Sequence, residues 1–198
     1  MLEPSNVPLF SVLIPAIFER LEDLRALSAE LERQCAEGGF TDIEVLSVVD
    51  NRQRSIGLKR EAVLQASRGE YVAFCDDDDW VLPEYLSAIR GAILAHRGVD
   101  VITLKQHSYI DCDAPATVIQ QLGNPNEEHN PKEYRRAAWH VCAWRAALVK
   151  PFHFPDSSYS EDWAWAAQCN AAAKTSHHLD KALHVYRYSS QKSRAPAP

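Results

Sequence analysis

The stretch that restricts this chain most is an apolar run, Tyr71-Val72-Ala73-Phe74-Cys75, which passes without a break into Asp76-Asp77-Asp78-Asp79. A short run of that make-up, rich in aromatic and apolar side chains, has the length of a buried strand. The carboxylates therefore emerge at the rim of a sheet. Like charges at consecutive positions repel, and beside a low-dielectric wall that repulsion is poorly screened; a divalent cation is the simplest relief. In an extended chain Asp76 and Asp78 project to one side and Asp77 to the other. Oxygen ligands of this kind suit Mg²⁺ or Mn²⁺, which take one or two carboxylates and leave room for water and phosphate. The competing description is a solvated acidic turn, with Asp78 or Asp79 near the start of the next helix.

Three further apolar runs read as buried strands: Phe10 to Ile14, closed by Pro15; Ile43 to Val49, closed by Asp50 and Asn51; and Val99 to Leu104. Between the first two, Leu21, Leu24, Leu27 and Leu31 form one apolar stripe of an amphipathic helix that Gly38-Gly39 ends. Further helices are expected from about Leu58 to Ser67 and from Pro83 to near Gly98. Strand and helix alternate, the pattern of an α/β fold with a mostly parallel central sheet flanked by helices. Ligands bind beyond the carboxyl ends of strands in such sheets, where Asp50 and Asp76 fall.

The second half is less regular. Gln120 to Lys132, with Gly, Pro and Asn, reads as a mobile loop. A helix from about Glu161 to Ala173 has Ser160 available as its cap, and Leu183 to Tyr188 reads as a last strand before a flexible tail over 189–198. With 198 residues, 46% of them hydrophobic, the chain supports one sizeable core, hence a single domain over 1–188.

The net charge of −6 disfavours a dedicated nucleic-acid coat. Its distribution is uneven, with 18 acidic against ten basic residues up to position 100 and nine against 11 thereafter. A cation is thus expected on the first half, and Arg187, Lys192 and Arg194 could fold as a basic lid over an anionic ligand. No apolar run approaches the ~20 residues of a membrane span. The five cysteines show no Cys-x-x-Cys spacing, so neither a zinc knuckle nor a disulfide framework is implied. These features together point to a soluble protein of the cytoplasm.

Ser11-Val12-Leu13-Ile14-Pro15, Val48-Val49-Asp50-Asn51, Gly57-Leu58-Lys59-Arg60 and Gly69 through Asp79, in this order and spacing, resemble the family 2 glycosyltransferases of GT-A fold. The resemblance covers residues 10 to about 100 and implies a donor-binding half over about 8–104 and an acceptor and catalytic half over about 105–188. It implies transfer of a sugar, with inversion, from a UDP-, GDP- or dTDP-sugar to a hydroxyl acceptor. That acceptor is left open among glycan, lipid-linked glycan, small molecule, protein and modified DNA base, as is the oligomeric state. It further implies Mn²⁺ or Mg²⁺ held at Asp76 and Asp78, with His184 a further candidate ligand. Pro15, Phe18, Asp50, Lys59, Arg60, Asp76, Asp77 and Arg187 are placed at the donor, Asp50 accepting a hydrogen bond from its base.

Ser160-Glu161-Asp162-Trp163 resembles the acidic pair that opens a helix in these enzymes, which implies Asp162 as catalytic base with Glu161 beside it. A first-turn carboxylate is kept ionised by the helix dipole, and capping is its structural alternative. Acceptor contacts are assigned to Trp163, His140 and Trp144. Trp163 and Trp165 lie about 200° apart on a helix, so only one of them can face a pocket. Two other functions stay open: a nucleotidyltransferase of related fold, which would ordinarily carry an early Gly-rich loop, and a non-catalytic nucleotide-sugar-binding module. A phosphatase with an Asp-x-Asp nucleophile would carry it on the first strand.

Overall fold

The computed structural model describes residues 7–111, 114–130 and 132–188. The expected flexible tail with Lys192 and Arg194, and Cys112, lie outside the described residues.

The first half alternates as expected: β1 (Phe10–Ile17), α1 (Leu21–Gly38), β2 (Ile43–Asp50), α2 (Ile56–Ala66), β3 (Tyr71–Phe74), β4 (Trp80–Val81), α3 (Tyr85–Ala95) and β5 (Val101–Ile110). β1 continues through Pro15, where the sequence suggested a stop. Its register with β3 ends at Leu13↔Phe74, so beyond that point β1 pairs with β2 alone and proline's missing N–H costs little. α1 ends where Gly39, at φ 61°, takes the left-handed conformation and returns its N–H to the last turn. α2 starts earlier than expected because Ser55 caps it, its Oγ accepting the Leu58 N–H.

The second half is richer in strand than its composition suggested. β7 (Glu127–Asn130) falls inside the expected loop, which β6 (Ala116–Gln120) and β8 (Glu133–Arg136) flank, followed by β9 (Ala143–Arg145), α4 (Ala146–Val149), α5 (Glu161–Ala172) and β10 (Ser176–Tyr188). The order β2-β1-β3-β9-β5-β6-β8-β7 is parallel at β2-β1-β3 and mixed beyond, since β9 runs antiparallel to both β3 and β5. β10 runs parallel to β5 but slips register twice, between His178 and Ala182 and between Ala182 and His184. Ser160 does not cap α5: it sits at φ 60° with no side-chain bond to the helix.

The pleat sorts the core. Phe10, Val12, Ile14 and Ala16 of β1 join Tyr71 and Ala73 of β3 under Leu24, Leu27 and Leu31 of α1 and Leu86, Ile89 and Ile93 of α3. Leu13, Val72 and Phe74 face the other way, against Val63 and Leu64 of α2 and Trp165, Ala166 and Cys169 of α5. Helices thus cover both faces, and the carboxyl ends of β1, β2 and β3 open together.

Two local constraints hold the second half to the first. Asp100, at the head of β5, accepts N–H bonds from Lys174 at 2.8 Å and Thr175 at 3.0 Å, the Thr175 hydroxyl at 3.1 Å, and pairs with Arg145. Gly57, in the first turn of α2, donates its N–H to the Ser157 carbonyl at 2.9 Å, and a Cβ there would stand 1.9 Å from the Pro155 carbonyl oxygen. Backbone meets backbone at that point, so only glycine fits.

Although burial opposes it, Arg145 and the amide and hydroxyl donors hold the Asp100 carboxyl down at about 2. Its contribution of about 2 kcal/mol is complete at neutral pH and drains away as pH falls from about 4 towards 2. Asp100→Asn should therefore lower stability at pH 7 and flatten the acid side of a urea-midpoint-versus-pH curve. Gly57→Ala should cost roughly 1–3 kcal/mol by overpacking. Gly91→Ala in α3, where a Cβ meets nothing within 4 Å, should instead stabilise by about 0.5–1 kcal/mol; thermal melts of the two variants read the contrast.

Candidate active site

The site lies where β1 runs into a 3-10 turn (Phe18–Arg20), β2 ends on Asp50, β3 releases the acidic run and α5 begins at Glu161. The four aspartates meet different surroundings. The run closes as a turn in which the Asp79 N–H donates to the Asp76 carbonyl at 3.0 Å. Asp77 is fully buried, accepts the Ile17 N–H at 2.9 Å, and lies 2.9 Å from Arg20 Nη2. It is a clamp between the ends of β1 and β3 rather than a group turned to a donor, which corrects the expectation. Burial pushes its carboxyl up to about 6, with Arg20 and the Ile17 N–H opposing and Asp78 and Asp76 adding to the rise. Asp78 pairs with Arg20 at the more open side of the turn.

Arg60, only 2% exposed, reaches Asp76 through Nη2 at 2.9 Å and Glu161 through Nε at 3.2 Å. Burial would raise Asp76, but Arg60 and His140 outweigh it and hold the carboxyl below its usual range. Lys59 is equally buried; its Nζ donates to the Ala16 carbonyl at 3.1 Å and lies 3.3 Å from Asp50. The basic pair expected to approach a nucleotide is therefore committed to the protein's own carboxylates and a carbonyl, because each sits on the inward face of α2. Asp50 also accepts the N–H groups of Arg52 and Arg54, at 3.1 and 3.0 Å. Phe18 stands 64% exposed at the rim, whereas Pro15 is buried within β1 and offers a ligand little surface.

Asp79 and His184 form the deepest part. Asp79 Oδ1 accepts the Arg187 N–H at 3.1 Å, and Oδ2 lies 3.5 Å from His184 Nε2. Burial first, then the charges of Asp76 and Asp78, push Asp79 well above the usual carboxylate range. His184 is fully buried with neither ring nitrogen hydrogen-bonded, and burial, then His140, hold it down at about 3, so its nitrogen lone pair is free. Arg187 places its guanidinium 5.8 Å from the centre of the Trp80 ring.

Among the described residues no three His, Cys, Asp or Glu side chains converge on one point as a ready-made metal cage. The donors nonetheless fit a hard divalent cation that keeps most of its shell as water and phosphate. Asp76 Oδ1 is buried without a hydrogen bond, although Arg60 Nη2 lies 2.9 Å away, and the neutral imidazole of His184 makes no hydrogen bond, its nearest carboxylate being Asp79 at 3.5 Å.

On the α5 side, Asp162 Oδ1 accepts the Trp163 N–H at 2.7 Å, and Oδ2 accepts the Trp139 indole N–H at 3.1 Å, with His140 Nδ1 3.3 Å away. Burial opposes ionisation here too, but His140, Arg60 and the Trp163 N–H hold Asp162 below the usual carboxylate range. Trp163 is 55% exposed beside it, while Trp165 is core. Trp144, expected at the acceptor, is also core: it is fully buried, packs edge-on against Trp165 and donates its indole N–H to the Trp139 carbonyl. Sequence reasoning missed Arg20, Arg136 and the role of Trp139, which sit in turns and short strands with no periodicity to single them out.

A family model described as "Glycosyl transferase family 2" matches residues 46–150, just over half of the chain. No curated protein matches the sequence closely enough to count as a relative. Among solved structures, S. aureus TarS 1-349 in complex with UDP-GlcNAc is similar with a TM-score of 0.64 and 20% identity over 95% of this chain and 61% of that one. The mannosyltransferase PcManGT from Pyrobaculum calidifontis, in complex with GDP-Man and Mn²⁺, is similar with a TM-score of 0.57 and 12% identity over 96% of this chain and 59% of that one. The chain thus spans about three fifths of TarS 1-349 and of PcManGT, and 37% of the longer TarS chain. The family model runs from within β2, through the Arg60 segment and the acidic run, to the end of α4, and the likeness in fold extends over nearly the whole chain. The chain belongs to glycosyl transferase family 2, and its mixed sheet flanked by helices is the GT-A fold.

Proposed function

We propose that this chain transfers a sugar from a nucleotide-diphosphate donor to a hydroxyl acceptor, with metal dependence and inversion at the anomeric carbon. The observation that carries this reading is Arg60, whose guanidinium joins Asp76 at the end of β3 to Glu161 at the start of α5. A donor-side carboxylate and the helix bearing a candidate base are thereby held at one opening. TarS, solved with UDP-GlcNAc, and PcManGT, solved with GDP-Man and Mn²⁺, support the choice of donor class.

Asp76 and Asp78 would hold Mn²⁺ or Mg²⁺ together with water and phosphate, with His184 a further candidate ligand; the ion when bound would supply positive charge to the diphosphate as it departs. Asp50 accepts the base N–H, while Phe18, exposed at the rim, offers a face for stacking. Asp162 takes the proton of the acceptor hydroxyl. As it does so the acceptor oxygen bonds to the anomeric carbon and the bond from that carbon to the diphosphate oxygen breaks on the opposite side, so the configuration inverts. Trp163 and His140 border the acceptor. An ionised carboxylate of low basicity suits a proton that leaves only as the new bond forms.

Thermal melts of the full chain with UDP-GlcNAc, GDP-Man and dTDP-glucose, each with and without Mn²⁺, test the donor site. A ligand at about 100 times its Kd contributes about 2.7 kcal/mol. The expected result is a rise of several degrees with one nucleotide-sugar, dependent on Mn²⁺ and lost in Asp78→Ala; no shift with any of them sinks the proposal. For the base, Asp162→Asn should cut nucleoside diphosphate release by roughly 10²–10⁴-fold while leaving the donor-induced thermal shift in place. Equal loss of both would make Asp162 a structural residue.

A further inference from the structure

Trp139 is held through both its backbone N–H and its carbonyl, and the function proposed above gives its side chain no part. Its N–H donates to Gln120 Oε1 at 3.2 Å, and its carbonyl accepts the Trp144 indole N–H at 2.9 Å and the Cys142 N–H at 3.0 Å. Gln120 is itself fully buried and bonded to Gln106. With the backbone held in this way, the indole N–H reaches Asp162 Oδ2 at 3.1 Å. The Arg136 guanidinium lies 3.6 Å from the centre of the same ring, and its Nε is buried with no hydrogen-bond partner.

We propose that Trp139, with Arg136 stacked on its face, is the positioning residue for Asp162. A carboxylate at a helix start turns freely about its last torsion unless both oxygens are held. Here Oδ1 is held by the Trp163 N–H and Oδ2 by the indole, so the remaining lone pairs face a fixed direction. A cation over the ring draws electron density from the indole and strengthens its N–H as a donor. That explains why a half-buried guanidinium is kept there although burial pushes its pKa down: the Asp162 charge opposes the fall. The inference rests on Asp162 being the base.

The test uses the full chain with Mn²⁺ and UDP-GlcNAc or GDP-Man, whichever raises the melting temperature, and follows nucleoside diphosphate release. Trp139→Phe keeps an aromatic face and deletes the donor; Trp139→His returns a ring N–H. The expected result is a kcat about tenfold lower in Trp139→Phe at unchanged donor KM and melting temperature, with partial recovery in Trp139→His. Arg136→Met should lower kcat in the same direction by less. Wild-type kcat in Trp139→Phe overturns the proposal. So does equal impairment of both Trp139 variants together with a raised donor KM or a lowered melting temperature, which would mark the ring as packing only. Asp162→Asn with undiminished turnover would overturn the base assignment itself, and is told apart because that variant is measured with Trp139 and Arg136 intact.

Discussion

Arg60 carries a full charge into a place with almost no water, 2% exposed and beside the Phe74 ring at 5.4 Å. Such a cation is tolerable only because carboxylates meet it from two directions, Asp76 after β3 and Glu161 at the head of α5. Burial alone would lower its pKa, yet Asp76, Asp162 and Glu161 raise it. The dependence is mutual, since removing one member of a buried ion pair costs about 3–5 kcal/mol by stranding the others. The segments it joins are far apart in the chain, so the ion pair does for the site what the sheet does for the core. Gly57 serves the same junction by letting the start of α2 touch the backbone that leads to α5.

The acidic run shows how a turn at the end of a strand gives consecutive, chemically identical residues different work. Asp77 turns inward and joins the ends of β1 and β3 through the Ile17 N–H and Arg20. Asp76 and Asp79 face the other groups of the site, one compensated by Arg60 and one close to a neutral histidine. The positive charges needed to gather them come from Arg20 and Arg60 on either side. A group of acids that would repel one another in isolation thus has its balance distributed over three elements.

Much of the first half of the candidate site was legible because it is local: an apolar run, a rim, a carboxylate, then a helix with its basic pair. The pleat predicted that Asp77 would part from both Asp76 and Asp78; the run instead closes as a turn, in which Asp77 parts from Asp76 but shares Arg20 with Asp78. What the pattern could not convey was commitment. Lys59 and Arg60 read as reaching outward, whereas a helix face turned to the sheet uses them as internal counter-ions. The second half was harder for a different reason. β7 and β8 are short and polar and pair with each other and with the nearby β6, so no apolar alternation marks them, and the Gly, Pro and Asn between β6 and β8 suggested a loop. Trp144 and Trp139, five positions apart, are alike as residues; only the antiparallel placement of β9 between β3 and β5 buries one and frees the other's indole for Asp162.

The slipped pairing of β10 on β5 sets the phase of the last strand. Two extra residues enter β10 between His178 and Ala182 and one more between Ala182 and His184, after which the ladder runs without a break to Tyr188. Side chains alternate faces along a strand, so the odd total decides that an imidazole, rather than Leu183 or Val185, points at Asp79. Gaining or losing a single residue in this stretch would rotate the terminal strand by half a turn and substitute hydrocarbon for the imidazole. The length of an irregular segment is thereby as much a part of the chemistry as the histidine itself.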